Sequence, residues 1–359
     1  MKYQYWLANI EGLGSRTILQ LGNVCGSAEE IFFLKKEQLE KTGVLKEKVI
    51  KNIIASKNKW DLDVEYAKLG QRGISFYTWE NPDFPENLKN ICDAPYCIYV
   101  KGKMPDMKKR RVAIVGARMC SEYGREIATH LGKRLAECGA QVISGMARGI
   151  DSCGHIGALQ GKGETFAVLG NGVEICYPPA NRQLYADILY HGGLISEYHP
   201  LQEPLARLFP SRNRIISALS DMVILVEAKE RSGSLITADF ALEQGKDIFA
   251  IPGRITDSLS KGCNNLIYQG AGMIANIEDF LKDLEFCTIN YEFQDDFKKL
   301  LLEKDESLVY SCLDLRPKNM EVILKKTSLE PDVLADILQR LVRKEFITET
   351  FKNYYIRKI

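Results

Sequence analysis

Val112-Ala113-Ile114-Val115-Gly116-Ala117-Arg118 decides the fold: four apolar residues without a break, then a glycine, an alanine and a cation. An amphipathic stretch follows from Glu122 to Cys138. The next run, Gln141-Val142-Ile143-Ser144, again stops at a glycine, Gly145. Runs of the same kind recur at Thr165–Leu169, Leu194–Ser196, Met222–Val226 and Asp247–Ile251, with helical patterns between most of them. Short runs that are apolar at nearly every position belong to strands covered on both faces, and strands alternating with helices build parallel crossovers. The expectation from Arg111 to near Phe286 is therefore an α/β fold with a doubly wound parallel sheet.

The flanks read differently. Upstream, Trp6, Leu7, Ile10, Ile18, Leu19 and Leu21 recur at helical spacing, followed by Ile31, Phe32, Leu34 and Leu39, with glycines as punctuation. Residues 1–65 are thus expected to form short helices. Residues 66–104 hold Pro82, Pro85 and Pro95 and are expected to be a connecting arm with one short strand at Tyr96–Val100. Downstream, residues 300–359 carry two amphipathic helices, Asn319–Lys326 and Pro331–Lys344. Phe346-Ile347-Thr348 and Tyr354-Tyr355-Ile356 then pair around Lys352-Asn353. Helix, turn, helix and hairpin are the parts of a winged helix.

Composition narrows the class without naming a function. The chain has 359 residues, 45% hydrophobic and 26% charged, enough for two or three globular domains. No apolar run approaches the roughly 20 residues of a membrane span, and the N-terminus lacks a signal-peptide pattern, so a cytoplasmic protein is expected. Lysine and arginine number 48 against 47 acids, so any anion site must be local rather than a basic surface. The ten cysteines form no Cys-x-x-Cys and meet no histidine at finger spacing, which points to reduced, structural thiols and no metal.

Open α/β sheets bind ligands at the carboxyl ends of their strands. Four donor-rich clusters stand there. One is Gly116-Ala117-Arg118 with Ser121, and another runs from Ser144 through Gly145, Arg148 and Gly149 to Asp151. The third is Ser211-Arg212-Asn213-Arg214. The fourth runs from Glu227 through Lys229 and Arg231 to Ser232-Gly233-Ser234-Leu235-Ile236-Thr237. One glycine-rich turn can serve only the chain reversal. Four together, with arginines, hydroxyls and helix N-termini, describe a phosphate pocket. No Gly-x-Gly-x-x-Gly, P-loop lysine motif or nucleophile elbow is present, so neither cofactor nor catalytic residue is expected. His155 is open to a functional role or to one in packing; His130, His191 and His199 have no recognisable partners.

Together with Tyr177-Pro178 and Phe209-Pro210-Ser211-Arg212-Asn213-Arg214-Ile215-Ile216, these motifs resemble the DprA/Smf family of DNA-processing proteins across residues 105–285. The resemblance implies an extended Rossmann domain over 105–286, a sterile-alpha-motif or helix-hairpin-helix-like domain over 1–65 and a winged helix over 300–359. It implies a non-enzymatic homodimer that binds and protects incoming single-stranded DNA and helps load the recombinase RecA during natural transformation. Carried over position by position, Arg118, Arg148, Arg212, Asn213, Arg214, Lys229, Ser232, Gly233, Ser234 and Thr237 match the DNA groove. Ser121, Gly145, Gly149 and Arg207 complete the candidate set. Members often carry a cation about four residues ahead of the phenylalanine; Leu205 stands there, and Arg207 is the nearest replacement.

The flanking domains carry weaker signals. Ile10-Glu11-Gly12-Leu13-Gly14-Ser15-Arg16 resembles a helix-hairpin-helix loop. The lysine-rich stretch from Lys35 to Lys59 could form either a DNA face or a solvated one. The helix from Pro331 mixes Asp332 and Asp336 with Arg340, Arg343 and Lys344, which favours protein contact over duplex reading. Phe209 is open between base stacking and core packing. Two competing readings remain. One is a nucleotide-sensing regulator. The other is an enzyme distantly similar to nucleoside-monophosphate phosphoribohydrolases, disfavoured because Phe240 stands where their glutamate would act.

Overall fold

The computed structural model describes residues 1–284 and 302–358. The expected boundaries at Phe286 and residue 300, and Cys287, lie outside them. Six helices open the chain: α1 (Lys2–Ala8), α2 (Ser15–Cys25), α3 (Ala28–Phe33), α4 (Lys36–Lys41), α5 (Glu47–Lys57) and α6 (Leu62–Gln71). Their boundaries follow local chemistry. Ser27 and Glu30 form a reciprocal capping box at α3, and the Asp61 side chain accepts from the Val64 amide to start α6.

Nine strands make the central sheet. They are β1 (Ile74–Thr78), β2 (Cys97–Gly102), β3 (Arg111–Val115), β4 (Gln141–Ser144), β5 (Thr165–Val168), β6 (Gly193–Ser196), β7 (Met222–Leu225), β8 (Asp247–Ala250) and β9 (Gly272–Met273). Their order is β1-β2-β6-β5-β4-β3-β7-β8-β9. From β6 to β9 every pairing is parallel, so the apolar runs read from the sequence are the strands of a wound sheet. Helices α7 (Glu86–Lys89), α8 (Glu122–Glu137), α9 (Ile150–Gln160), α10 (Arg182–His191), α11 (Leu208–Leu219), α12 (Gly233–Glu243), α13 (Lys261–Tyr268) and α14 (Ile277–Asp283) complete this region. Alternate residues of one strand serve opposite layers. Val112 and Ile114 pack with α8 and α9, while Ala113 and Val115 pack with α11 and α12. Burying each such Val or Ile is worth roughly 1.5–3 kcal/mol, which pins the register.

The segment 66–104 departs from expectation. Instead of an arm with one strand it supplies two, β1 and β2, paired antiparallel to each other and onto β6. The sheet is therefore mixed and begins well before residue 105. Pro82, Pro85 and Pro95 all fall between the two strands, where no ladder hydrogen bond is lost. In β1 only Ile74, Phe76 and Thr78 are buried, the alternation of an edge strand. Phe76 and Tyr99 share one aromatic cluster with Tyr5 of α1, so the N-terminal helices and this end of the sheet have a common core.

Beyond residue 302 lie three helices (Lys304–Cys312, Met320–Thr327 and Pro331–Arg343) and a three-stranded sheet, β10 (Lys318–Asn319), β11 (Ile347–Phe351) and β12 (Tyr354–Arg357), in the order β10-β12-β11. They enclose their own core around Ile323, Leu334, Ile337, Leu338 and Leu341. Among the described residues eight cysteines are free thiols, whereas Cys138 is disulfide-bonded, an exception to the expected reduced state. Among the described residues no helix is long and apolar enough to cross a membrane.

Candidate functional site

The carboxyl ends of β3 and β7, with the loop after β4, open on a cavity of about 580 Å³. Of the sequence candidates, Arg118, Arg212, Asn213, Lys229, Ser232, Gly233, Ser234 and Thr237 line it. Arg118 and Lys229 are exposed at the rim, and Arg118 lies over the Phe209 ring at 5.8 Å from its centre. Ser232 caps α12, its hydroxyl accepting from the Ser234 amide at 3.4 Å, so the positive end of that helix faces the cavity. Thr237 is buried one turn further along.

Arg212 forms the floor. It is 4% exposed, donating from Nη1 to the Gly145 carbonyl at 2.8 Å and to the Val168 carbonyl. Burial lowers its guanidinium to about 10, and the neighbouring Asp151 carboxylate opposes that shift. Asp151 is itself pushed upward by burial, with Arg212 and the amides of Ala147 and Gly145 pulling it back. The buried cation is thus tied to an equally buried anion, and the free positive charge belongs to the rim. Asn213 bridges to the fourth cluster, its Nδ2 donating to the Gly233 carbonyl at 3.3 Å.

The remaining candidates lie outside the cavity lining. Arg214 is 5% exposed. It makes a two-pronged pair with Glu197 at 2.8 and 2.6 Å and donates from Nε to the Asp93 carbonyl at 2.7 Å. Helical geometry explains the split: adjacent residues on α11 lie about 100° apart, so Arg212 and Arg214 cannot share a face. Ser121 caps α8 and is gripped by Glu227, whose carboxylate accepts from its amide at 2.8 Å and from its hydroxyl. Gly149 (φ 79°) lets the start of α9 close on the β3 loop, where a Cβ would stand 2.2 Å from the Ala117 carbonyl oxygen. Arg148 and Arg207 are exposed beside the site.

Several contributors had weak sequence signals. Glu227 opens an anion-seeking motif and Glu197 directly follows β6, and their role as braces shows only once their partners Ser121 and Arg214 are placed. Tyr177 and Arg231 line the cavity. His155 is fully buried, its Nδ1 2.6 Å from the Thr165 hydroxyl, and burial pushes it down to about 3. It packs α9 against the sheet and does not line the cavity. Among the described residues no cluster of His, Cys, Asp and Glu could hold a metal ion.

A wound sheet whose strand ends, helix N-terminus and rim cations surround one cavity defines the class, a Rossmann-like α/β protein with an anion-receptive site. The family model for DNA recombination-mediator protein A matches residues 75–285, and the chain belongs to that family. The match begins at β1, in accord with the early start of the sheet. Over 224 residues the chain is 44% identical to the DNA processing protein DprA of Streptococcus pneumoniae, covering 62% of this chain and 79% of that one. The Bacillus subtilis DprA is 40% identical over 226 residues, covering 63% and 76%. The X-ray structure of the Streptococcus pneumoniae protein superposes with a TM-score of 0.69 at 35% identity, over 79% of this chain and 98% of that one. DNA processing protein A of Helicobacter pylori, described for its single-stranded DNA binding mode, gives 0.53 at 32% identity, over 59% and 96%.

Proposed function

We propose that this recombination mediator binds single-stranded DNA in the strand-end cavity, protects it and helps load RecA recombinase onto it, catalysing no reaction itself. The observation that carries the reading is the convergence of Arg118, Lys229, Arg231 and the N-terminus of α12 on one cavity floored by Arg212. Contacts of this kind grip phosphates with little regard to sequence. The likeness to the Helicobacter pylori protein supports the choice of single strands. Arg148 and Arg207 extend the positive rim, while Ser121, Gly145, Gly149 and Arg214 brace the loops that carry it.

The working unit is a cytoplasmic homodimer. Met273 is exposed on β9, the edge strand, and Tyr268 on α13 and Leu242 on α12 are exposed too, which supports contact with a second copy on this side of the sheet. Residues 1–65 serve as the helix-hairpin-helix-like domain, the extended Rossmann domain starts at β1 rather than at residue 105, and 300–359 serve as a winged helix. Arg340 pairs with Glu303 at 3.3 Å and Asp336 at 3.4 Å, and Lys344 pairs with Glu306 at 2.8 Å. Cations engaged in this way favour protein contact over duplex binding. A second reading, a nucleotide sensor, has the cavity volume in its favour, since about 580 Å³ suits a small ligand.

Fluorescence anisotropy of a labelled oligothymidylate, with an equal-length duplex beside it, separates the two. The proposal expects tight single-strand binding that falls steeply with salt and weakens at least tenfold in Arg118→Ala/Lys229→Ala. A folded protein that ignores the oligonucleotide at low salt yet retains a mononucleotide would overturn it in favour of the sensor.

A further inference from the structure

Single strands and duplexes both offer phosphates, so cations and helix N-termini alone cannot tell them apart. A single strand differs in its bare base faces. Two aromatic rings border the cavity, Phe209 and Tyr177, with centroids 5.4 Å apart and planes tilted by 31°. Phe209 is already engaged. It packs so closely on Gly170 that a Cβ there would stand 2.6 Å from its Cδ1, and Arg118 lies over the ring. Tyr177 has Phe209 behind it and remains 41% exposed.

The chain on either side of Tyr177 is pinned. The Asn171 side chain donates to the Ile175 carbonyl at 2.7 Å, and the Asn181 side chain donates to the Met146 carbonyl and the Ser152 hydroxyl, both at 2.9 Å. An exposed ring on an anchored loop loses little freedom on meeting a ligand. Arg118 and Tyr177 also contact the same Phe209 ring, which puts a phosphate ligand and a stacking surface side by side.

Building on the single-stranded DNA reading of the cavity, we propose that Tyr177, backed by Phe209, is the platform on which a base of the bound strand stacks. The contact gives the cavity its preference for unpaired bases, and Phe209 acts as a positioning residue for both Tyr177 and Arg118.

The test compares oligothymidylate with an equal-length oligonucleotide of abasic tetrahydrofuran sites, which keeps the phosphates and lacks the bases, using the full chain. Wild type should prefer oligothymidylate. Tyr177→Ala should weaken oligothymidylate binding about tenfold, leave abasic binding unchanged and keep the salt slope. Tyr177→Phe should behave as wild type, since only the ring is used. An equal loss on both probes, a changed salt slope or no loss in Tyr177→Ala would overturn the platform while leaving the cavity reading intact. Failure of wild type to bind either probe would overturn the cavity reading, and the platform with it. A melting curve of each variant guards against misfolding, and Tyr177→Leu supplies a second ring-free form.

Discussion

Arg212 and Gly145 fit only each other: Nη1 of the arginine donates to the glycine carbonyl at 2.8 Å, and a Cβ on residue 145 would stand 2.5 Å from Nη2. The Gly145 and Val168 carbonyls hold the guanidinium in a buried site, and the charge of the buried Asp151 carboxylate favours it there. Gly145→Ala should therefore destabilise the fold by about 1–3 kcal/mol through overpacking. Arg212→Ala should cost about 3–5 kcal/mol, since it strands the buried Asp151 carboxylate. Urea unfolding at pH 7 measures both. Adding Asp151→Asn to Arg212→Ala should recover part of the loss, and strict additivity would refute the coupling.

Arg214 sits two residues further along α11 and makes a different prediction. Its pair with Glu197 is 6% and 9% exposed on the two side chains, so removing either partner leaves an uncompensated buried charge. Arg214→Ala and Glu197→Ala should each lose about 3 kcal/mol, and the double variant should lose less than the sum of the two. The salt dependence of DNA binding should not change in folded Arg214→Ala. A shallower slope would mean that Arg214 meets a phosphate after all.

His155 links stability to pH. Burial, reinforced by Arg212, brings it from an ordinary 6.5 down to about 3. Below about 6.5 the unfolded chain takes up a proton that the folded chain refuses, so the stability this neutral histidine lends is present above 6.5 and is lost as pH falls toward 3. Between pH 7 and pH 5 the loss from this group should be about 2 kcal/mol. His155→Gln should flatten that part of the profile in urea unfolding at the two pH values. An unchanged profile would show that other groups set it.

The sequence carried the wound sheet almost whole, because strands buried on both faces are apolar at nearly every position and Val112–Val115 cannot be mistaken for a surface. It missed β1 and underestimated β2, since an edge strand of five residues with one buried face carries little periodicity and the nearby prolines suggest a loop. Within the site, residue type showed where donors gather but not which way they point. Arg212 and Arg214 look alike in sequence. Only their angular separation on α11 and the distant carboxylates Asp151 and Glu197 divide a cavity floor from a structural ion pair. Tyr177 stood out only within a motif, because its exposure depends on how Phe209 packs on Gly170.

Lys229 gives the sharpest test of whether the cavity grips DNA. It is exposed at the rim, lines the cavity and makes no ion pair among the described residues, so its charge is free for a ligand. A cation that neutralises one phosphate of a single strand displaces condensed counterions and adds about 0.7 to the steepness of log K against log salt. Lys229→Ala should therefore reduce that slope by about 0.7 and weaken binding most at low salt, with the two curves converging as salt rises. Arg118→Ala should do the same, with a further loss because the Phe209 ring loses its covering cation. Tyr177→Ala should shift the line downward without tilting it. Parallel lines for all three variants would mean that the rim cations touch no phosphate, and the DNA path would then have to be sought away from the ends of the strands.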